Sequence, residues 1–160
     1  MLRHFWQADR VTCLSNAYRT ILSGFGILIS EKQACDECKT TKNGTSVFDG
    51  LSALKKRGLD AHYVSINQPF ALYGRWLNLN SNNRFLLVNC YGQNKGKRGR
   101  PTEEHHAICL YNGKVWDSAC KEILPLDVWA SIKYNKQFIV NGFVMIESPL
   151  KKTKDSEENI

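Results

Sequence analysis

His106-Ala-Ile-Cys-Leu-Tyr-Asn-Gly-Lys-Val-Trp-Asp117 reads as two short apolar segments joined by Asn112-Gly113. Asn-Gly between apolar runs is the strongest short-range signal for a two-residue hairpin turn. In such a turn Tyr111 faces Lys114, which sets Ile108 opposite Asp117 and His106 opposite Ala119. Side chains on one face alternate by two, so His106 and Asp117 share a face as diagonal neighbours, roughly 7 Å apart at Cβ. His105 points to the other face. The chain therefore contains antiparallel sheet, and one end of a hairpin pairs an imidazole with a carboxylate.

Upstream, Arg84 to Cys90 is a continuous apolar run of strand length, suited to the centre of a sheet, and Ala61 to Ile66 alternates like a strand. Phe138 to Ile146 supplies a last strand after a helix near Leu126 to Ile132. In the first half, Leu14, Ala17, Tyr18, Ile21 and Leu22 recur at helical spacing and stop at Gly24 and Gly26, so a helix starts close to Cys13. A short amphipathic piece spans Ile29 to Ala34. A further helix opens at Thr45-Ser46, with Asp49 three residues on as in a capping box, and ends at Gly58. Pro69 is placed to start a short helix through Leu77. The order predicts an α+β fold, with N-terminal helices packed on an antiparallel β-sheet.

At 160 residues the chain is one domain by size, assigned to residues 1–147, with a charged tail at 148–160 that has no periodicity and is expected to be disordered. Hydrophobic residues at 42% and charged residues at 23% fit an ordinary globular core. No run approaches a membrane span and the first residues lack the order of a secretory signal, so no membrane insertion and a cytoplasmic location are expected. On that view the six cysteines are reduced thiols rather than three disulfides. Cys35-Asp-Glu-Cys38 has the spacing of half a zinc site, but a second pair is absent and no metal or other cofactor is expected. The net charge of +7 and the segment Lys95-Gly-Lys-Arg-Gly-Arg-Pro101 allow a nucleic-acid partner. The aromatics lie in the expected helices and strands instead of interleaving with the basic residues, which argues against one.

Four residues supply the parts of a thiol-dependent acyl-transfer site. Cys13 at a helix start is placed to be a thiolate nucleophile, because the helix dipole and free N–H groups favour the anion. His106 is placed as the base and acid, Asp117 as the group that orients it, and Gln7, six residues before the cysteine, as an oxyanion donor. Each alone has a bland alternative: Asp117 can simply initiate a turn, and a single histidine can be a core or surface residue. The set of four is harder to obtain by accident.

These residues resemble the papain-like cysteine peptidases of the C39 (bacteriocin-processing, double-glycine) type. That family also has the glutamine six before the cysteine, and its middle resembles Gly44-Thr45-Ser46, Leu51, Leu54 and Gly58-Leu59-Asp60-Ala61 here. Its histidine heads an apolar strand and its aspartate follows on the next, usually as Asp-Pro-Ala, where this chain has Asp117-Ser118-Ala119. The likeness covers about residues 5 to 147. The chain departs from it at Thr12-Cys13-Leu14, where Asp-Cys-Gly is usual, and in the long basic segment before His106. The resemblance implies a papain-like fold and a cysteine peptidase acting on a peptide or isopeptide bond of a peptide or protein substrate. The same site would serve an acyltransferase, and the same fold without activity would serve as a peptide- or partner-binding module.

Overall fold

The computed structural model describes residues 2–7, 11–95 and 101–147. The expectations for the basic segment 96–100 and the tail 148–160 lie outside the described residues. Helix α1 spans Cys13–Gly24, α2 Glu31–Glu37 and α3 Val47–Lys56. Strand β1 (Ala61–Pro69), helix α4 (Phe70–Asn80) and strands β2 (Arg84–Lys95), β3 (Pro101–Tyr111) and β4 (Lys114–Trp116) follow, then β5 (Leu124–Pro125), α5 (Leu126–Tyr134) and β6 (Phe138–Glu147).

The strands form one antiparallel sheet in the order β1-β6-β2-β3-β4-β5. Strand β2 lies inside it, between β6 and β3, as its unbroken apolar run requires. Its side chains alternate between two cores. Phe85 and Leu87 join Tyr18, Ile21, Leu22 and Leu54 under α1 to α3. Leu86, Val88 and Cys90 join Trp129, Ala130, Tyr134 and Phe138 under α5. The sheet is thus covered on both faces: the N-terminal helices form one layer, and α4 and α5, expected only as helices along the chain, form the other.

Local chemistry explains the boundaries. Ser46 caps α3 by accepting from the Phe48 amide at 3.2 Å, and Ser30 caps α2 by accepting from Gln33 at 3.0 Å. The hairpin turn has φ of 49° at Asn112 and 74° at Gly113, the left-handed pair that a two-residue turn needs. Its register pairs Tyr111 with Lys114, Leu110 with Val115 and Cys109 with Trp116.

Strand β3 begins at Pro101, five residues before the expected start at His106, because β2 also runs on to Lys95 and the two pair along their whole length. Strand β4 ends at Trp116, one residue short of the expected Asp117. Strand β5 was not foreseen. Among the described residues no helix is long and apolar enough to cross a membrane.

The short β4 pairs only with Cys109–Tyr111, which leaves the β3 edge from Pro101 to Ile108 without that neighbour. The middle of the sheet is adjusted beside this edge. The β2–β6 register shifts between Asn89 and Cys90, and Gly142 pairs with both Asn89 and Ser65. A Cβ at Gly142 would lie 2.6 Å from the Val64 carbonyl oxygen, a main-chain atom that cannot turn aside. Gly142→Ala is expected to lower stability by about 2 kcal/mol, read as a lower urea midpoint at unchanged slope.

Candidate active site

Helix α1 opens at the free edge of β3, and this brings Cys13 to His106. Cys13 occupies the first helical position, where the Leu14 amide is directed at its sulfur. The Ala107 amide also donates to the sulfur, from the strand edge that β4 leaves open. His106 hydrogen-bonds the thiol and is itself only 5% exposed. Its Nε2 lies 2.7 Å from Oδ1 of Asp117, which is fully buried. The ring is therefore held between a sulfur and a carboxylate.

The electrostatics follow from these contacts. Burial pushes the Cys13 thiol up, but the hydrogen bond and charge of His106, with the amides of Ala107 and Leu14, outweigh it and leave the thiol below its ordinary value. Burial acts against a charged His106, while the hydrogen bonds to Asp117 and Cys13 and the charge of Asp117 raise it to about 9. For Asp117 burial is again the largest opposing effect, and His106 with Lys133 and the Ala119 amide holds the carboxyl well below the usual range. The other thiols behave differently. Burial pushes Cys90, Cys109 and Cys38 far up, and Cys120 rises to about 11.

Gln7 is held at the residue after Asp117 and does not line the cleft at the sulfur. Its amide N–H donates to the Ser118 carbonyl at 3.1 Å, and its side-chain oxygen accepts from the Ser118 hydroxyl at 2.7 Å. Gln7 is thus fixed to the residue after Asp117, with its side-chain NH2 as the donor end. Nearby, His4 Nε2 donates to the Asp117 carbonyl at 2.8 Å. A cleft of about 120 Å³ opens at the sulfur, lined by Val11, Cys13, Asn43, Thr45, Asn89 and His105. His105 stacks on Tyr91 at 4.7 Å between ring centroids, and both His105 and His106 line this cleft.

Three contacts were not anticipated. Trp129 Nε1 donates to Asp117 Oδ2 at 2.9 Å, and the Cys120 thiol lies 3.4 Å from the same oxygen. Lys133 Nζ stands 3.9 Å from it. Trp129 and Lys133 both lie on α5. Asp117 also makes the turn that its sequence neighbours suggested, accepting from the Ala119 amide at 2.9 Å. The turn and the contact with His106 coexist at that residue. Of the Cys35–Cys38 pair, Cys38 is buried in the core and Cys35 lies 3.4 Å from the Ser15 hydroxyl; among the described residues no group of three or more potential metal-ligating side chains occurs.

The peptidase domain of Streptococcus ComA, a bi-functional ABC transporter involved in a quorum-sensing pathway, superposes with a TM-score of 0.52 at 16% identity, covering 92% of this chain and all of that domain. A double-glycine-motif protease from an AMS/PCAT transporter, solved with its leader peptide, gives a TM-score of 0.55 at 11% identity, covering 92% of this chain and 93% of that one. The fold is that of a C39-type peptidase domain. No protein-family model matches the chain, and no curated protein does. At such identities the C39-type likeness establishes the architecture and leaves the chemistry to this chain's own residues.

The His106–Asp117 pair has a pH signature in stability. Asp117, lowered on folding, stabilises above its unfolded value of about 3.9 and loses that contribution as pH falls. His106, raised on folding, contributes fully below its unfolded value of about 6.5 and loses its contribution as pH rises through about 9. Asp117→Asn is expected to cost about 3 kcal/mol between roughly pH 4 and 6.5. The gap from wild type should narrow steadily above that range. A gap independent of pH in urea melts would show that the pair is not charged in the folded protein.

Proposed function

We propose that the protein is a cysteine peptidase whose nucleophile is Cys13. The observation that carries the reading is the His106 ring, bonded to Cys13 on one side and to Asp117 Oδ1 at 2.7 Å on the other. That arrangement favours thiolate and imidazolium together, the state in which cysteine attacks a carbonyl.

In this mechanism the Cys13 sulfur adds to the substrate carbonyl carbon. The oxyanion takes hydrogen bonds from the Gln7 side-chain NH2 and from a main-chain N–H at the start of α1. The imidazolium gives its proton to the leaving amine as the C–N bond breaks, and a thioester remains. Water then attacks, His106 accepts its proton, and the thiolate departs from the second tetrahedral intermediate. Asp117 keeps the imidazole in the tautomer that presents its other nitrogen to sulfur. The narrow cleft favours small residues at the bond cut. This supports a substrate of the double-glycine kind named for the AMS/PCAT neighbour.

The test has two parts. Iodoacetamide labelling of the six cysteines, followed by peptide mass spectrometry, should find Cys13 the fastest below neutral pH, and His106→Ala should remove that advantage. Hydrolysis of peptides carrying an internal Gly-Gly should fall at least about 10³-fold in Cys13→Ala. Its kcat/KM should decline as pH rises through about 9, where His106 loses the proton the leaving amine needs, while alkylation continues. A Cys13 that reacts as an ordinary thiol, of pKa about 8.5, would sink the reading and favour a partner-binding module of the same fold.

A further inference from the structure

The two oxygens of Asp117 do different work. Oδ1 accepts from His106 and from the Ala119 amide. Oδ2 accepts from Trp129, has the Cys120 thiol beside it, and faces the ammonium of Lys133 at 3.9 Å. Lys133 is itself largely enclosed, its side chain 12% exposed. On its far side stands Glu104, with Oε1 3.6 Å from the ammonium and accepting from the Tyr134 hydroxyl at 3.0 Å. A chain of charges thus runs from the sulfur through the buried Asp117 and out to Glu104, alternating in sign: Cys13, His106, Asp117, Lys133, Glu104.

An imidazole that serves first as acid and then as base must release its proton as well as hold it. A dry carboxylate facing His106 alone would bind that proton too firmly, and a second cation on the same carboxylate weakens the hold. The geometry points to Lys133 as a positioning residue that divides the charge of Asp117 between two cations and so sets how tightly His106 keeps its proton. Glu104 in turn determines how much of the Lys133 charge reaches Asp117. The inference deepens the cysteine-peptidase reading and rests on it for its catalytic meaning.

Other titratable groups meet this chain from several elements. Cys13 approaches from α1. Cys90 of β2 lies 3.5 Å from the His106 carbonyl oxygen, and Cys120 follows β4. Tyr134 of α5 bonds Glu104, and His4 of the N-terminal segment bonds the Asp117 carbonyl. Among the described residues these bring no second ammonium or guanidinium to Asp117 Oδ2. The direction of the effect agrees with the lowering that Lys133 exerts on both His106 and Asp117.

The test is a nitrogen-15 NMR titration of the His106 ring in the full chain, for wild type, Lys133→Met, Lys133→Arg and Glu104→Gln. Lys133→Met should raise the midpoint by about half a pH unit and Glu104→Gln should lower it, while Lys133→Arg should restore the wild-type value. Opposite movements by two neighbours distinguish charge tuning from packing, since a packing defect has no reason to change sign with the charge removed. Midpoints that stay put, or move the same way in both variants, overturn the proposal. If Lys133→Met fails to fold, the half-exposed Glu104 decides alone: a fall in midpoint supports the proposal, and no change or a rise overturns it. Hydrolysis is read separately. Shifted midpoints without hydrolysis of any peptide uphold the tuning and sink the peptidase reading, whereas hydrolysis with fixed midpoints does the reverse.

Discussion

An ionised carboxylate with no exposure to water is the constraint around which this molecule is arranged. Asp117 would cost several kcal/mol if its charge were buried alone, so each of its lone pairs needs a partner. The partners come from separate parts of the chain: His106 from β3, the Ala119 amide and Cys120 from the turn after β4, and Trp129 and Lys133 from α5. Satisfying that one side chain therefore ties the hairpin to the second helical layer. The dependence also runs the other way, because a helix that presents an indole N–H and an ammonium to one oxygen has little freedom to slide. Local geometry at Asp117 and the seating of α5 are one problem.

The opposite face solves a different problem, that of bringing a helix start to a strand. A longer β4 would pair with β3 back past Ala107 and take up its amide. Because β4 stops at Trp116, that N–H remains available to Cys13, and α1 can begin where the strand edge is open. The thiol then collects two main-chain donors and an imidazole, enough to overcome the desolvation that pushes the buried thiols Cys38, Cys90 and Cys109 upward. One cysteine of six is singled out by where a strand ends.

Much of this was legible in the sequence, for reasons that also mark where legibility stops. A two-residue turn has a fixed register and a strand a period of two, so Asn112-Gly113 was enough to set His106 and Asp117 near one another; the 2.7 Å contact itself is made just beyond the last registered pair, Cys109 with Trp116. The helix from Cys13 declared itself by apolar spacing and by Gly24. The extension of β3 back to Pro101 did not, since Thr102-Glu103-Glu104-His105 has no apolar alternation and is paired only because β2 lies alongside. Strand β5, two residues long, has no period to detect. The roles of Trp129 and Lys133 were hidden most deeply. Their spacing marks an amphipathic helix, but which atom meets Asp117 depends on the rotation and depth at which α5 packs, a tertiary fact that no local pattern encodes.

Gln7 shows how distant pieces of the site become one body. Through Ser118 it is bonded by both its main chain and its side chain to the residue after Asp117, and His4 holds the Asp117 carbonyl from the same segment. Gln7 and Asp117, distant in sequence, are therefore held together through the backbone and hydroxyl of Ser118. In a site whose parts must be placed within a fraction of an ångström, a common mount removes one independent source of error. The N-terminal segment is thus fastened to the end of the hairpin.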